Sequence, residues 1–162
     1  MARRWIAFGV VLGVIFGAWD LIATARSPLA DDSPSALLTF YGPMFTIWTI
    51  TGFIASRRRG RVTDGIQAGA TVALSTFVVF DVAVMIRANV FLDVLPGRDD
   101  WQLIVRSFQT SGFSSFRTYV NCFYLKATPL KTTVATAIGA ILGALGGLAA
   151  VLTRRIGQRP RR

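Results

Sequence analysis

The sequence predicts an all-α membrane protein with four transmembrane helices, both termini being cytoplasmic. Three observations lead to this fold class. The chain of 162 residues is 52% hydrophobic and only 16% charged, more apolar than an ordinary soluble domain. Its apolar residues form four long blocks, each close to the ~20 residues that cross a hydrocarbon core. Its excess cations gather at one set of helix ends. The length corresponds to a single domain.

The four blocks predict helices at about residues 5–25, 36–55, 62–86 and 132–152. They are apolar nearly all round, whereas a helix of a soluble protein is apolar along one stripe. The first block resembles a signal peptide, with Arg3-Arg4 before it and Ala23-Thr24-Ala25 at its end. It is longer than a signal core of ~7–15 residues, and Asp20 interrupts it, so a retained helix is favoured over a cleaved signal.

Two sequence features shape the middle of the chain. Gly42-Pro43 predicts a kink or a late start of the second helix, because proline lacks a backbone donor. The short loop at residues 56–61 contains four arginines and a glycine. Such a short connection makes the second and third helices antiparallel neighbours.

The positions of the charges predict the orientation. With the N-terminus inside, eleven cations face one acid, Asp64, on the cytoplasmic side, whereas seven cations and seven acids lie on the outer side or at outer helix ends. This asymmetry follows the positive-inside rule and predicts a bacterial cytoplasmic (inner) membrane protein. It also makes nucleic-acid binding a poor explanation of the net charge. The inner cations, including the basic tail at 153–162, are expected to contact anionic lipid headgroups. They are Arg3, Arg4, Arg57, Arg58, Arg59, Arg61, Arg154, Arg155, Arg159, Arg161 and Arg162.

Residues 87–131 form the one substantial segment predicted outside the membrane. Two amphipathic helical patterns occupy it, and their apolar faces include Trp101, Phe108, Phe116 and Phe123. These helices lie either in the bilayer interface or in a small external cap packed on the bundle. A fifth spanning helix is disfavoured, because Arg106 and Arg117 would each cost roughly 2.5–3.5 kcal/mol near the bilayer centre.

The two halves of the chain show a weak similarity. Trp19-Asp20 and Phe80-Asp81 each precede an arginine, Arg26 or Arg87, that lies six residues after the aspartate. A tandem two-helix repeat would produce this pattern, with the longer outer segment inserted in the second copy. The alternative is chance similarity between apolar helices.

Glycines recur every four residues on three of the predicted helices. This spacing places them along one face, where helix backbones approach closely. Each face either packs within the bundle or forms an interface with a partner subunit. The residues are Gly9, Gly13 and Gly17, Gly65 and Gly69, and Gly139, Gly143 and Gly147.

Asp20 and Asp81 are the ionisable residues most suggestive of function. Acids within spanning helices are often part of ion or solute pathways. Both aspartates are predicted near the outer interface, where they could pair with arginines instead. If the repeat is real, the exchanged pairs Asp20–Arg87 and Asp81–Arg26 become plausible.

The inventory of reactive groups argues against catalysis. The chain has no histidine, no glutamate and a single cysteine, Cys122, so the usual metal, haem and general-base sites lack their commonest residue. No cofactor or metal is predicted. The primary hypothesis is a non-catalytic accessory, assembly or structural subunit, associated with other membrane subunits or with copies of itself. The alternative is a small transporter or channel module that uses Asp20 and Asp81, and an enzyme ranks third.

Overall fold

A computed structural model describes residues 2–30 and 33–157, which are almost entirely helical. Four of its helices are long and apolar enough to cross a membrane, as expected of a multi-pass membrane protein. Asp31, Asp32 and the tail from residue 158 lie outside the described residues. The helices are α1 (Ala2–Arg26), α2 (Pro34–Arg59), α3 (Val62–Val90), α4 (Gln102–Gln109) and α5 (Phe116–Gly157), with 3₁₀ turns at Leu95–Gly97 and Asp99–Trp101.

Local signals define both ends of α2. Ser33 accepts a hydrogen bond from the Ala36 amide at 3.2 Å, and Pro34 occupies the first turn, where its missing donor costs nothing. The late start predicted from Pro43 is therefore wrong, since the helix begins nine residues earlier. At the other end, Gly60 adopts the left-handed conformation with φ of 73°. This turn reverses the chain into α3.

Helix α3 is the centre of the bundle, because it packs against α1, α2 and α5. Helix α5 also packs along α2, whereas backbone contacts between α1 and α2 are sparse within the described residues. The starts of α1 and α3 and the ends of α2 and α5 therefore share one end of the bundle. We call it the arginine-rich end, and the opposite end the cap end.

The predicted glycine faces lie between helices of this same chain. An ideal Cβ built on Gly13 would lie 2.7 Å from the Thr76 carbonyl oxygen, and one built on Gly143 would overlap the Gly65 carbonyl. The remaining six glycines of the pattern likewise meet α2, α3 or α5 atoms closer than a side chain allows. The spacing therefore serves close packing within the bundle, and these faces are covered.

The last helix differs from the prediction. It begins at Phe116 and runs without interruption for 42 residues through Pro129, instead of starting near Thr132. At ~1.5 Å per residue it is ~63 Å long, about twice the thickness of a hydrocarbon core. Its first part is the second amphipathic pattern of the sequence, so the two predicted elements form one helix.

Residues 91–115, which we call the cap, pack on the first turns of α5. Trp101 is only 2% exposed and lies against Tyr124, with 6.3 Å between ring centroids. Phe108 contacts Phe116 at 5.1 Å, and Phe123 remains partly exposed. The sequence left two alternatives for this segment, a helix in the bilayer interface and a cap packed on the bundle. The contacts of Trp101 and Phe108 with α5 agree with a packed cap. Trp101 is buried and Phe108 half-buried, so the cap adds apolar packing to the first part of α5.

Candidate functional site

A cavity of about 1080 Å³ lies beneath the cap, lined by residues of α1, α2, α3 and α5 and by the cap itself. Its lining combines charged and aromatic side chains. All four residues singled out as ionisable candidates by the sequence contribute to it, namely Asp20, Arg26, Asp81 and Arg87. Surface-exposed Leu37 and Leu130 also line it, so the cavity reaches the surface between α2 and α5.

Asp20 and Arg87 form an ion pair on one side of this cavity. The Arg87 Nη1 donates to Asp20 Oδ1 at 2.9 Å, and the two side chains are 13% and 15% exposed. The pair therefore links α1 and α3 at the cap end. Tyr124 of α5 lies close enough to Arg87 for the two to interact electrostatically.

A second ion pair belongs to the cap. Arg98 donates from Nε and Nη2 to the two carboxylate oxygens of Asp100, both at 2.8 Å. Arg98 is buried, and Gln102 donates to its carbonyl oxygen at 3.3 Å and to that of Pro96 at 2.9 Å. Such a two-pronged contact is among the stronger ion pairs in proteins, and both of its residues line the cavity.

Asp81 has a different environment. It is 6% exposed and lines the cavity, where its Oδ2 accepts a hydrogen bond from Thr132 at 3.3 Å. No cation forms an ion pair with it among the described residues. Lys131 attracts it electrostatically, yet the Lys131 ammonium lies over the Tyr124 ring, 4.9 Å from the centroid. A buried carboxylate without an adjacent cation is costly, and here it lies on the wall of a cavity.

The expected pair between Asp81 and Arg26 is absent from the described residues, for a geometric reason. Helices α1 and α3 run in the same direction, and the Asp20–Arg87 contact sets their relative height. Asp81 lies six residues below Arg87, and Arg26 six residues above Asp20. At ~1.5 Å per residue the two side chains start ~18 Å apart along the bundle axis. Parallel helices cannot form both exchanged pairs, and Arg26 is instead exposed at the end of α1.

Six aromatic side chains of α2 and α3 form a closed circuit, and all six line the cavity. Adjacent ring centroids are between 5.1 and 6.0 Å apart. Trp48 is fully buried, and its indole nitrogen has no acceptor among the described residues. In order around the circuit, the residues are Phe40, Tyr41, Phe45, Trp48, Phe77 and Phe80.

No protein-family model, curated protein or solved structure matches this chain. Its function is therefore inferred from the geometry of the site. The cavity presents carboxylates, guanidinium groups and aromatic rings, which are groups that bind ligands. Cys122 lies apart from it, in a shallow depression with Asn121 and Lys126.

Several residues of the site were missed by the sequence analysis, although some left a signal. Tyr41, Phe45 and Trp48 are spaced i, i+4 and i+7, which places them on one helix face. Arg98 and Lys131 were counted only as charges. The Asn89 amide donates to the Asn121 side-chain oxygen at 2.6 Å, which links α3 to α5. Only the register between helices reveals that contact.

Proposed function

We propose that this chain is a small membrane transporter or channel module that binds an amphipathic solute in the cavity beneath the cap. One observation carries the proposal: Asp20 and Asp81 line a single cavity that also contains the aromatic circuit. Two acids held in separate, closed ion pairs would instead favour a purely structural role. Asp81, however, has no such pair among the described residues.

The cavity has the size and composition of a binding site. Its volume of about 1080 Å³ is slightly above the ~300–1,000 Å³ typical of small-molecule sites. Its aromatic walls together with its charged groups suit a solute that has both apolar and charged parts. The surface opening beside Leu37 and Leu130 provides a route of entry.

The proposal includes an orientation in a bacterial inner membrane. The arginines of the α2–α3 turn and of the end of α5 lie together, since a Cβ on Gly60 would be 2.8 Å from Arg154 Nη1. The positive-inside rule places this end in the cytoplasm. The cap and the cavity then face the outer side, and anionic lipid headgroups surround the arginines.

The accessory-subunit hypothesis stays a prediction. It rests on the glycine pattern, the aromatic outer segment and the scarcity of catalytic groups, and the glycine faces pack against helices of the same chain. Partner subunits or further copies would have to use the exposed apolar surface, which lipid also covers. Purification in a mild detergent, followed by identification of associated proteins, tests this alternative.

A thiol-protection experiment tests the cavity directly. In a Cys122→Ser background, Ala23→Cys places a thiol in the cavity lining, whereas Ala25→Cys places one on an equally exposed part of α1 outside it. A panel of cationic, anionic and zwitterionic aromatic solutes should include at least one that slows maleimide labelling at position 23 only. The same solute should cross the membrane of proteoliposomes that contain the protein. Absence of protection by every solute class contradicts a binding cavity.

A further inference from the structure

We infer that the ligand of this cavity is an organic cation, with its ammonium group held between Asp81 and the aromatic circuit. The inference rests on the proposed function and adds the chemical class of the solute. It joins two observations that concern different residues: an acid without an adjacent cation and a closed set of aromatic rings. Both belong to the wall of the same cavity.

The first observation concerns the three acids that line the cavity among the described residues. Asp20 is paired with Arg87 and Asp100 with Arg98. Asp81 is the most buried of the three, and Thr132 supplies only a hydroxyl at 3.3 Å. An ionised acid in such a place is stabilised when a cation binds beside it. A cationic ligand would form an ion pair with Asp81, as Arg87 does with Asp20 and Arg98 with Asp100.

The second observation concerns the rings next to Asp81. Phe77 lies one helical turn before Asp81 on α3, so these two side chains share a helix face and the carboxylate adjoins this member of the circuit. Phe80 precedes Asp81 directly in the chain and lines the same cavity. The ring of Phe80 contacts that of Phe40, with 5.5 Å between centroids, and the ring of Phe77 contacts that of Trp48, with 6.0 Å between centroids. Ring faces attract cations within ~6 Å, and sets of aromatic side chains are the usual receptors for quaternary ammonium groups.

No cation among the described residues forms an ion pair with Asp81. Arg26 and Lys131 also line the cavity, but both are exposed, whereas Asp81 is buried. The Lys131 ammonium is placed over Tyr124, outside the circuit. Exposed cations at the rim bind an anion weakly, whereas a buried carboxylate among rings favours a cation strongly. Because the carboxylate of Asp81 is buried and the cations Arg26 and Lys131 are exposed, the cavity favours a cationic solute.

Two probes of similar shape and opposite charge test the ligand class. Benzyltrimethylammonium and phenylmethanesulfonate each carry one phenyl ring and one charged group. In equilibrium dialysis with the purified full chain, the cation should bind more tightly than the anion. Asp81→Asn should weaken cation binding by about tenfold or more, because it removes a desolvated charge from the contact. Asp64→Asn is the matched control, since Asp64 pairs with Arg59 at the opposite end of the bundle.

A second variant keeps the test decisive if Asp81→Asn does not fold. Phe77→Leu removes one ring from the circuit and retains an apolar side chain. It should therefore weaken binding of the cation more than binding of the anion. Tighter binding of the anion, or unchanged cation binding in Asp81→Asn, overturns the inference while leaving a solute cavity in place. If Asp81→Asn does not fold, equal effects of Phe77→Leu on the two probes overturn it instead. Failure of both probes, and of the wider panel, to protect the thiol at position 23 overturns the proposed function as well.

Discussion

Arg87 of α3 donates a hydrogen bond to Asp20 of α1 across 2.9 Å, and this contact continues a packed seam between the two helices. Gly13 meets Thr76 and Gly17 meets Ala83 along the same seam. The offset in residue number is similar at all three places, as expected for parallel helices of equal rise. The glycines set how closely α1 and α3 approach, and the ion pair completes the seam at the cap end.

Loss of either partner of this ion pair should destabilise the protein. We expect Asp20→Asn or Arg87→Gln to cost about 2–3 kcal/mol, because each leaves a mostly buried charge without its partner. The double variant should lose less than the sum, with a coupling of about 1–2 kcal/mol in a double-mutant cycle. Reversible unfolding in mixed detergent micelles measures these values. Strictly additive losses would show that the contact contributes no stability.

The glycine seam between α3 and α5 should tolerate no side chain. Gly143→Ala places a methyl group against the Gly65 carbonyl and 3.1 Å from the Gly69 Cα, so the helices must separate. A cost of about 1–3 kcal/mol is expected from such overpacking. Gly42→Ala is the control, because nothing lies within 4 Å of its added Cβ and alanine favours helix. The same unfolding assay should show a loss for the first variant only, and equal tolerance at the two positions argues against close packing.

The cap should depend on Trp101 for its attachment to α5. Trp101→Ala removes a side chain that is 2% exposed, and a loss of about 3–5 kcal/mol is expected for a buried aromatic residue. Leu103→Ala, two residues along and 73% exposed, should change stability by less than about 0.5 kcal/mol. Limited proteolysis of the 91–115 segment provides the local measurement. Faster cleavage in both variants, or in neither, contradicts the packed cap.

The orientation can be measured with two single cysteines in the Cys122→Ser background. Arg58→Cys lies on the exposed last turn of α2, and Thr110→Cys on the exposed end of α4. If the arginine-rich end is cytoplasmic, a membrane-impermeant maleimide added to intact cells should label position 110 and spare position 58. Labelling of both positions after the cells are opened is the control. The reverse pattern in intact cells would invert the topology.

The four long helices could be predicted from the sequence because length and apolar composition are local properties. A block such as residues 62–86 is apolar whatever surrounds it, and the boundary at Gly60 follows from the loop composition. The packing role of the glycines was one of two alternatives, and their spacing alone could not decide between a partner and the same chain. Asp20 and Asp81 were identified as candidates by their position within apolar segments, and Arg87 by its position six residues after Asp81.

The register between helices decided the rest. The sequence pattern of residues 116–131 predicts a separate amphipathic element. In the structure this stretch is the first part of α5, and Trp101 and Phe108 pack on it. The cavity depends on the relative heights of helices that are tens of residues apart in the chain. The same heights decide that Asp20 pairs with Arg87 and that Asp81 lines the same cavity as the aromatic circuit. Sequence by itself determined which segments are helical and apolar, since each residue carries that information. Only the tertiary structure decided which side chains meet, because close contacts at Gly13, Gly69 and Gly143 set those heights.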